Sequence, residues 1–216
     1  MSKKNKEKQY SEAELITLFG LTRLVGNDKH PLLAEWLKAN TQLSAAEQTI
    51  FDAIYADALE NIEAWQEEDL KMQFIAFVLH LGHLKNNHRY RTYFEKTIAA
   101  TIENTFLKTK TDFMIAKGVL NMPQIPYFHF QEYKPQHNPT GEVMAQLLTA
   151  FLIAQTKNQV HQTLYGCEVV GAYWKFVILQ DKTYCISSTY DATDKEDLLK
   201  IIAILRQFKA ILENLL

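Results

Sequence analysis

The 216-residue chain is 47% hydrophobic, enough to bury one substantial core without disulfide or metal staples. Its 23 Lys and Arg stand against 25 Asp and Glu, a net charge of -2 that excludes a global pull toward nucleic acid or an anionic membrane, so any nucleic-acid contact must use a local patch. Cys167 and Cys185 lie in apolar stretches with no CxxC or Cys/His spacing suited to zinc, and they read as buried, reduced thiols.

Residues 1–9, MSKKNKEKQ, read as a disordered basic tail. No apolar segment of the kind a secretory signal needs follows them, and no apolar run approaches the roughly 20 residues of a membrane span. The expectation is a cytoplasmic protein with no membrane partner. Helix starts of the form Ser/Thr-x-x-Glu occur at Ser11 to Glu14, Ser44 to Glu47 and Thr193 to Glu196, each ahead of apolar residues at helical spacing. A short helix at Pro31 to Lys38 precedes the second of these. Its successor buries a face marked by Ile50, Ile54, Ala58 and Ile62. Glu67, Glu68 and Asp69 open a further helix to about residue 81, since acidic side chains suit a helix's positive end, and Gly82 closes it.

From Ile98 onward β-branched and aromatic residues rise and turn residues recur. The pattern predicts strands near 98–107, 111–117 and 126–134, a helix at 140–156, strands at 164–170, 173–180 and 183–187, and a closing helix at 194–214. The organisation predicted is a helical N-terminal layer, residues 10–64, on an α/β core, residues 65–216.

Within the third strand, a period of two places Phe128, Phe130, Glu132 and Lys134 on one face. A carboxylate and an ammonium ending an apolar face need each other, solvent or a ligand. Asp112 opens the preceding strand, and neighbouring strands lie about 4.8 Å apart, so Asp112 and Glu132 can share one cation. Mg²⁺, or Mn²⁺ in its place, suits such oxygen ligands, and Lys134 can stabilise charge building on a phosphate. A Glu-x-Lys or Asp-x-Lys tripeptide arises by chance roughly once in a chain of this size, so its weight comes from its surroundings.

Those surroundings resemble a known family. Thr111-Asp112-Phe113 to Lys117-Gly118, then Pro126-Tyr127-Phe128 and Glu132-Tyr133-Lys134-Pro135, resemble the Asp strand and Glu-x-Lys strand of the PD-(D/E)XK nuclease-like superfamily. Gly141 to Leu148 resembles the helix that supplies a glutamine, here Gln146, and Leu164 to Cys167 with Gly171 to Phe176 resembles the paired late strands of restriction-type members. The likeness spans about residues 65 to 214. Thr111 stands where the motif has proline.

The resemblance implies a restriction-endonuclease-like fold, a mixed central sheet flanked by helices. It further implies catalysis by Asp112, Glu132, Lys134 and Gln146, and metal ligation by Asp112, Glu132 and a helix glutamate, Glu68 or alternatively Glu67. The expected activity is Mg-dependent hydrolysis of nucleic-acid phosphodiester bonds, with DNA as the first substrate. The alternative is a non-catalytic interaction module, or an accessory subunit of a restriction or mobile-element system, meeting a protein partner through its helical N-terminal layer.

Lys85, Arg89 and Arg91, with Tyr90 and Tyr93 among them, form the first candidate for nucleic-acid backbone contact; the plainer reading is a solvated connection. His80 and His83 read as helix-end residues, His129 as packing on the face opposite Glu132, and His137 as a loop residue near Lys134. Trp36, Trp65, Trp174 and Phe176 read as core, and the stripe Leu198, Ile201, Ile202, Leu205, Phe208 and Leu212 as packing on the sheet.

Overall fold

The computed structural model describes residues 8–137, 139, 141–159 and 162–216; most of the predicted basic tail lies outside them. Helices α1 (Glu12–Phe19) and α3 (Ala45–Asn61) begin at the two predicted capping boxes, with Ser11 and Ser44 accepting from the Glu14 and Glu47 amides at 3.2 and 3.4 Å. The third start differs by one residue. Helix α7 (Lys195–Leu215) is capped by Asp194, whose carboxylate accepts from both the Glu196 and Asp197 amides, while Thr193 bonds back to Asp191. A carboxylate serving two orphan amides at the positive end of a helix outcompetes one hydroxyl.

Between these lie α2 (Pro31–Leu37), α4 (Glu67–Asp69) running through a π-helical turn (Leu70–Ile75) into α5 (Ala76–Leu81), and α6 (Val143–Asn158). The strands are β1 (Thr22–Val25), β2 (Arg91–Ile102), β3 (Thr105–Val119), β4 (Met122–Lys134), β5 (Leu164–Val170), β6 (Tyr173–Gln180), β7 (Thr183–Ile186) and β8 (Tyr190–Asp191). They form one mixed sheet in the order β1-β7-β6-β5-β4-β3-β2, with β8 beside β6. The β1–β7 and β4–β5 pairs are parallel and the rest antiparallel.

Alternate residues feed two cores. Phe113, Ile115, Cys167, Phe176 and Ile178 pack beneath α2, α3, α5 and α7, whereas Met114, Ala116, Leu164, Val177 and Leu179 pack beneath α1 and α6. The fold is therefore an α/β sandwich with helices on both faces of the sheet. Gly166 lets α6 come close: a side chain there would meet the Phe151 ring at 2.6 Å and the Phe130 carbonyl at 2.7 Å. Both cysteines are buried, and the α7 stripe packs on the sheet as expected. No helix is long and apolar enough to cross a membrane among the described residues.

Three expectations are corrected. The N-terminal segment is not all-helical, because Thr22–Val25 joins the sheet edge beside β7 and α1 packs on the α6 face. The predicted strand 98–107 is two strands meeting at a turn, Glu103 and Asn104, and the first of them begins at Arg91. Phe128 leaves the face of Phe130: a bulge moves the β4 partner from His129 to Tyr127 as β3 passes from Ile115 to Ala116, and the extra residue tips Phe128 into the opposite core.

Candidate active site

The sheet register gathers the candidate residues into one row. Asp112 stands one step past Phe113, whose partner is Gln131, so Glu132 is its neighbour across the β3–β4 ladder. Glu132 faces Glu168 on β5, which faces Lys175 on β6. Toward the outer edge, Glu95 of β2 lies between Phe94, opposite Phe113, and Lys96, opposite Thr111. Across the sheet the row reads Glu95, Asp112, Glu132, Glu168, Lys175.

Two lysines and a helix glutamate lock onto this row. Lys134 Nζ lies 2.9 Å from Glu67 Oε2, and the other oxygen of Glu67 lies 2.8 Å from Lys71 Nζ. Lys71 Nζ also reaches Asp112 Oδ1 at 2.8 Å and Glu95 Oε1 at 2.9 Å. The remaining oxygen of Asp112 accepts the Tyr133 amide at 2.8 Å. Glu95 is further paired with Lys110.

Electrostatics separate the two central carboxyls. Glu132 is 1% exposed, and its Oε1 has no hydrogen-bond partner among the described residues. Burial first, and the adjoining Asp112 charge second, hold its carboxyl well above the usual range. Burial raises Asp112 as well, with Lys71 and the Tyr133 amide working against it. Burial would raise Glu67, yet Lys71 and Lys134 bring it below the carboxylate range. Glu95 is held at about 2, burial being outweighed by Lys110 and Lys71.

The backbone is irregular at two of these positions. Glu95 sits at φ 54°, the left-handed region that glycine tolerates and glutamate rarely adopts. Such a conformation costs about 1–3 kcal/mol and persists where surrounding contacts overdetermine it. Lys71 lies in the π-helical turn, and single π turns inside α-helices recur at functional sites.

The remaining candidates divide. Glu67 enters the cluster, whereas the Glu68 side chain is 81% exposed and stands 3.6 Å from Lys71. Gln146 faces a cleft of about 350 Å³ lined also by Lys8, Tyr10, Thr97, Lys108 and Lys110, its side-chain oxygen buried and without a partner among the described residues. Lys85 and Arg89 are exposed in the connection before β2; Arg91, half-buried, is four residues along β2 from Glu95, about 13 Å. His83 bonds to Glu47 at 2.7 Å instead of joining His80 on a metal. His129 is fully buried on the face away from Glu132, as expected, and held neutral with its pKa lowered by burial to about 3.

Sequence reasoning missed Lys71, Glu95, Lys110, Glu168 and Lys175. Only the Glu67-to-Lys71 spacing of four, a helical ion-pair signal, was available to find one of them. Compared with known proteins, the chain matches no family model and no curated relative.

Proposed function

We propose that the chain is a metal-dependent nuclease with a restriction-endonuclease-like core, hydrolysing phosphodiester bonds of DNA in the first instance. One observation carries the reading: a buried Glu132 carboxyl oxygen without a hydrogen-bond partner among the described residues, across the ladder from Asp112 and on the strand face of Lys134. Buried polar atoms are almost always satisfied, and one left open beside a carboxylate is a place for a ligand. All the donors are hard oxygens, which fits Mg²⁺ or Mn²⁺, held by Asp112 and Glu132 with Glu67 as the helix ligand in place of Glu68. When bound, such an ion neutralises phosphate charge and acidifies a water.

The protein's own groups do the rest. Glu132, across the ladder from Asp112, would hold the ion through its carboxylate. Lys134, held 2.9 Å from Glu67, is positioned to steady the charge that grows on the phosphate as the water oxygen bonds to phosphorus and the bond to the leaving oxygen breaks. Lys8, Lys108 and Lys110 around the Gln146 cleft, with Lys85, Arg89 and Arg91 farther along β2, follow the nucleic-acid backbone.

A second reading, the non-catalytic module or accessory subunit bound to a protein partner, is favoured by Lys71, whose ammonium already neutralises the carboxylates of the row. Cleavage of single- and double-stranded DNA and RNA with Mg²⁺ or Mn²⁺ decides between them. Asp112→Ala and Lys134→Ala are each expected to lower the rate by about 10²-fold or more. Equal residual cleavage by the native chain and both variants would sink the catalytic reading.

A further inference from the structure

Lys71 makes an unusual set of contacts for a lysine near a surface. Its ammonium is ringed by carboxylate oxygens from three different elements: Glu67 on α4 at 2.8 Å, Glu95 on β2 at 2.9 Å and Asp112 on β3 at 2.8 Å. Three anionic oxygens around one point is the ligand set of a hard divalent cation. Ammonium-to-oxygen distances of 2.8 to 2.9 Å exceed the roughly 2.1 Å of a Mg²⁺ ligand, so the carboxylates are spread to the ammonium's size. Among the described residues no three acidic, His or Cys side chains stand at metal-centre spacing.

We infer that Lys71 is the resident cation of a divalent-metal position formed by Glu67, Glu95 and Asp112, and that a metal enters by exchanging with its ammonium. This rests on reading the corner as a metal site and adds to it an unassigned ligand, Glu95, and a built-in competitor. Three further observations support the exchange. The buried Glu132 oxygen left without a partner among the described residues belongs to the residue across the β3–β4 ladder from Asp112, next to this position. Glu95 holds a left-handed backbone that a strand would fill more easily with glycine, so its carboxylate is what the position supplies. The displaced lysine also has somewhere to go. A cavity of about 300 Å³ opens beside it, lined by Met72, Ile75, Leu79 and Phe94 to take its aliphatic stem, with the exposed Glu68 carboxylate 3.6 Å away at the rim to take its ammonium.

Calorimetric titration of the full chain with Mn²⁺ tests this. Lys71→Met, which removes the competitor, is expected to bind at least about 10-fold tighter than the native chain. Glu95→Gln, a change at a partly exposed side chain that leaves the core untouched, is expected to bind about 10-fold weaker. A readout free of any mutation is acetylation of lysines followed by mass spectrometry. Lys71, ion-paired and 14% exposed, is expected to resist acetylation without metal and to react several-fold more when Mg²⁺ saturates the site. Unchanged Lys71 labelling, or Lys71→Met and Glu95→Gln affinities equal to native, overturns the inference.

Failures can be told apart. If Glu132→Gln abolishes Mn²⁺ binding while the Lys71 and Glu95 variants match the native chain, the metal sits on Asp112 and Glu132 alone and only this inference falls. Tight binding by Lys71→Met in a protein that cuts no nucleic acid leaves this inference standing and removes the nuclease. No Mn²⁺ binding by any variant removes both.

Discussion

The two faces of β4 solve the same problem, buried polar side chains, in opposite ways. On one face His129, Gln131 and Tyr133 form a neutral chain: the Tyr133 hydroxyl donates to Gln131 Oε1 at 2.6 Å, and the Gln131 amide lies 2.8 Å from His129 Nε2. Rings close over it, with Phe208 4.4 Å from the His129 ring and Trp36 at 6.3 Å. On the other face Lys134 joins a charged cluster that runs through Glu67 and Lys71 to Asp112, the ladder neighbour of Glu132. A neutral relay among aromatics gains rigidity and can do little else. A buried carboxyl oxygen left without a partner beside a second carboxylate is held at the expense of stability.

The contrast can be broken at either face. The largest effect is expected from Phe208→Ala, which strips the lid from His129 and empties a ring-sized volume: stability in urea should fall by about 3–5 kcal/mol while Mn²⁺ affinity stays at the native value. A parallel loss of metal affinity would mean that the two faces are not independent. Tyr133→Phe is next. It leaves Gln131 Oε1 buried without its donor and should cost about 1–3 kcal/mol, again without touching metal binding.

The smallest effect carries the opposite sign. The native pKa of Glu132 is raised above its unfolded value, so above the ordinary carboxylate range the unfolded chain binds fewer protons than the native one. Native stability should therefore fall as pH rises, by up to about 1.4 kcal/mol per pH unit from this group. Glu132→Gln should lose that slope and be the more stable protein at pH 6, the difference closing near pH 4, in urea melts at both values. A variant with the native slope would show that Glu132 is ionised in the folded chain.

Asp112, Glu132 and Lys134 could be aligned from sequence because strand parity is a local rule and the β4 bulge lies upstream of Phe130, leaving their alternation intact. The bulge spoiled the same rule for Phe128. Choosing Glu67 over Glu68 depends on how the helix rotates through its π-helical turn, a tertiary outcome with no residue signature. Glu95 was illegible for a related reason, since a strand residue in a left-handed conformation carries no compositional cue. The turn at Glu103 and Asn104 has positive φ at both positions, the hairpin geometry, but lacks the Asn-Gly pair that announces it. Strand β1, four residues with no buried position, shows none of the alternation by which strands are recognised.

That short strand also sets a timetable for synthesis. Thr22 pairs with Thr183 and Val25 with Ile186, in parallel, so an early segment of the chain waits for one translated some 160 residues later. At a ribosomal pace of about 5–20 residues per second the wait is roughly 10–30 s. Throughout it Leu15 and Phe19 of α1, whose cover comes from α6 and the late strands, remain open to water and to other chains. The sheet therefore gains its far edge, β1 beside β7, only once β7 has cleared the exit tunnel.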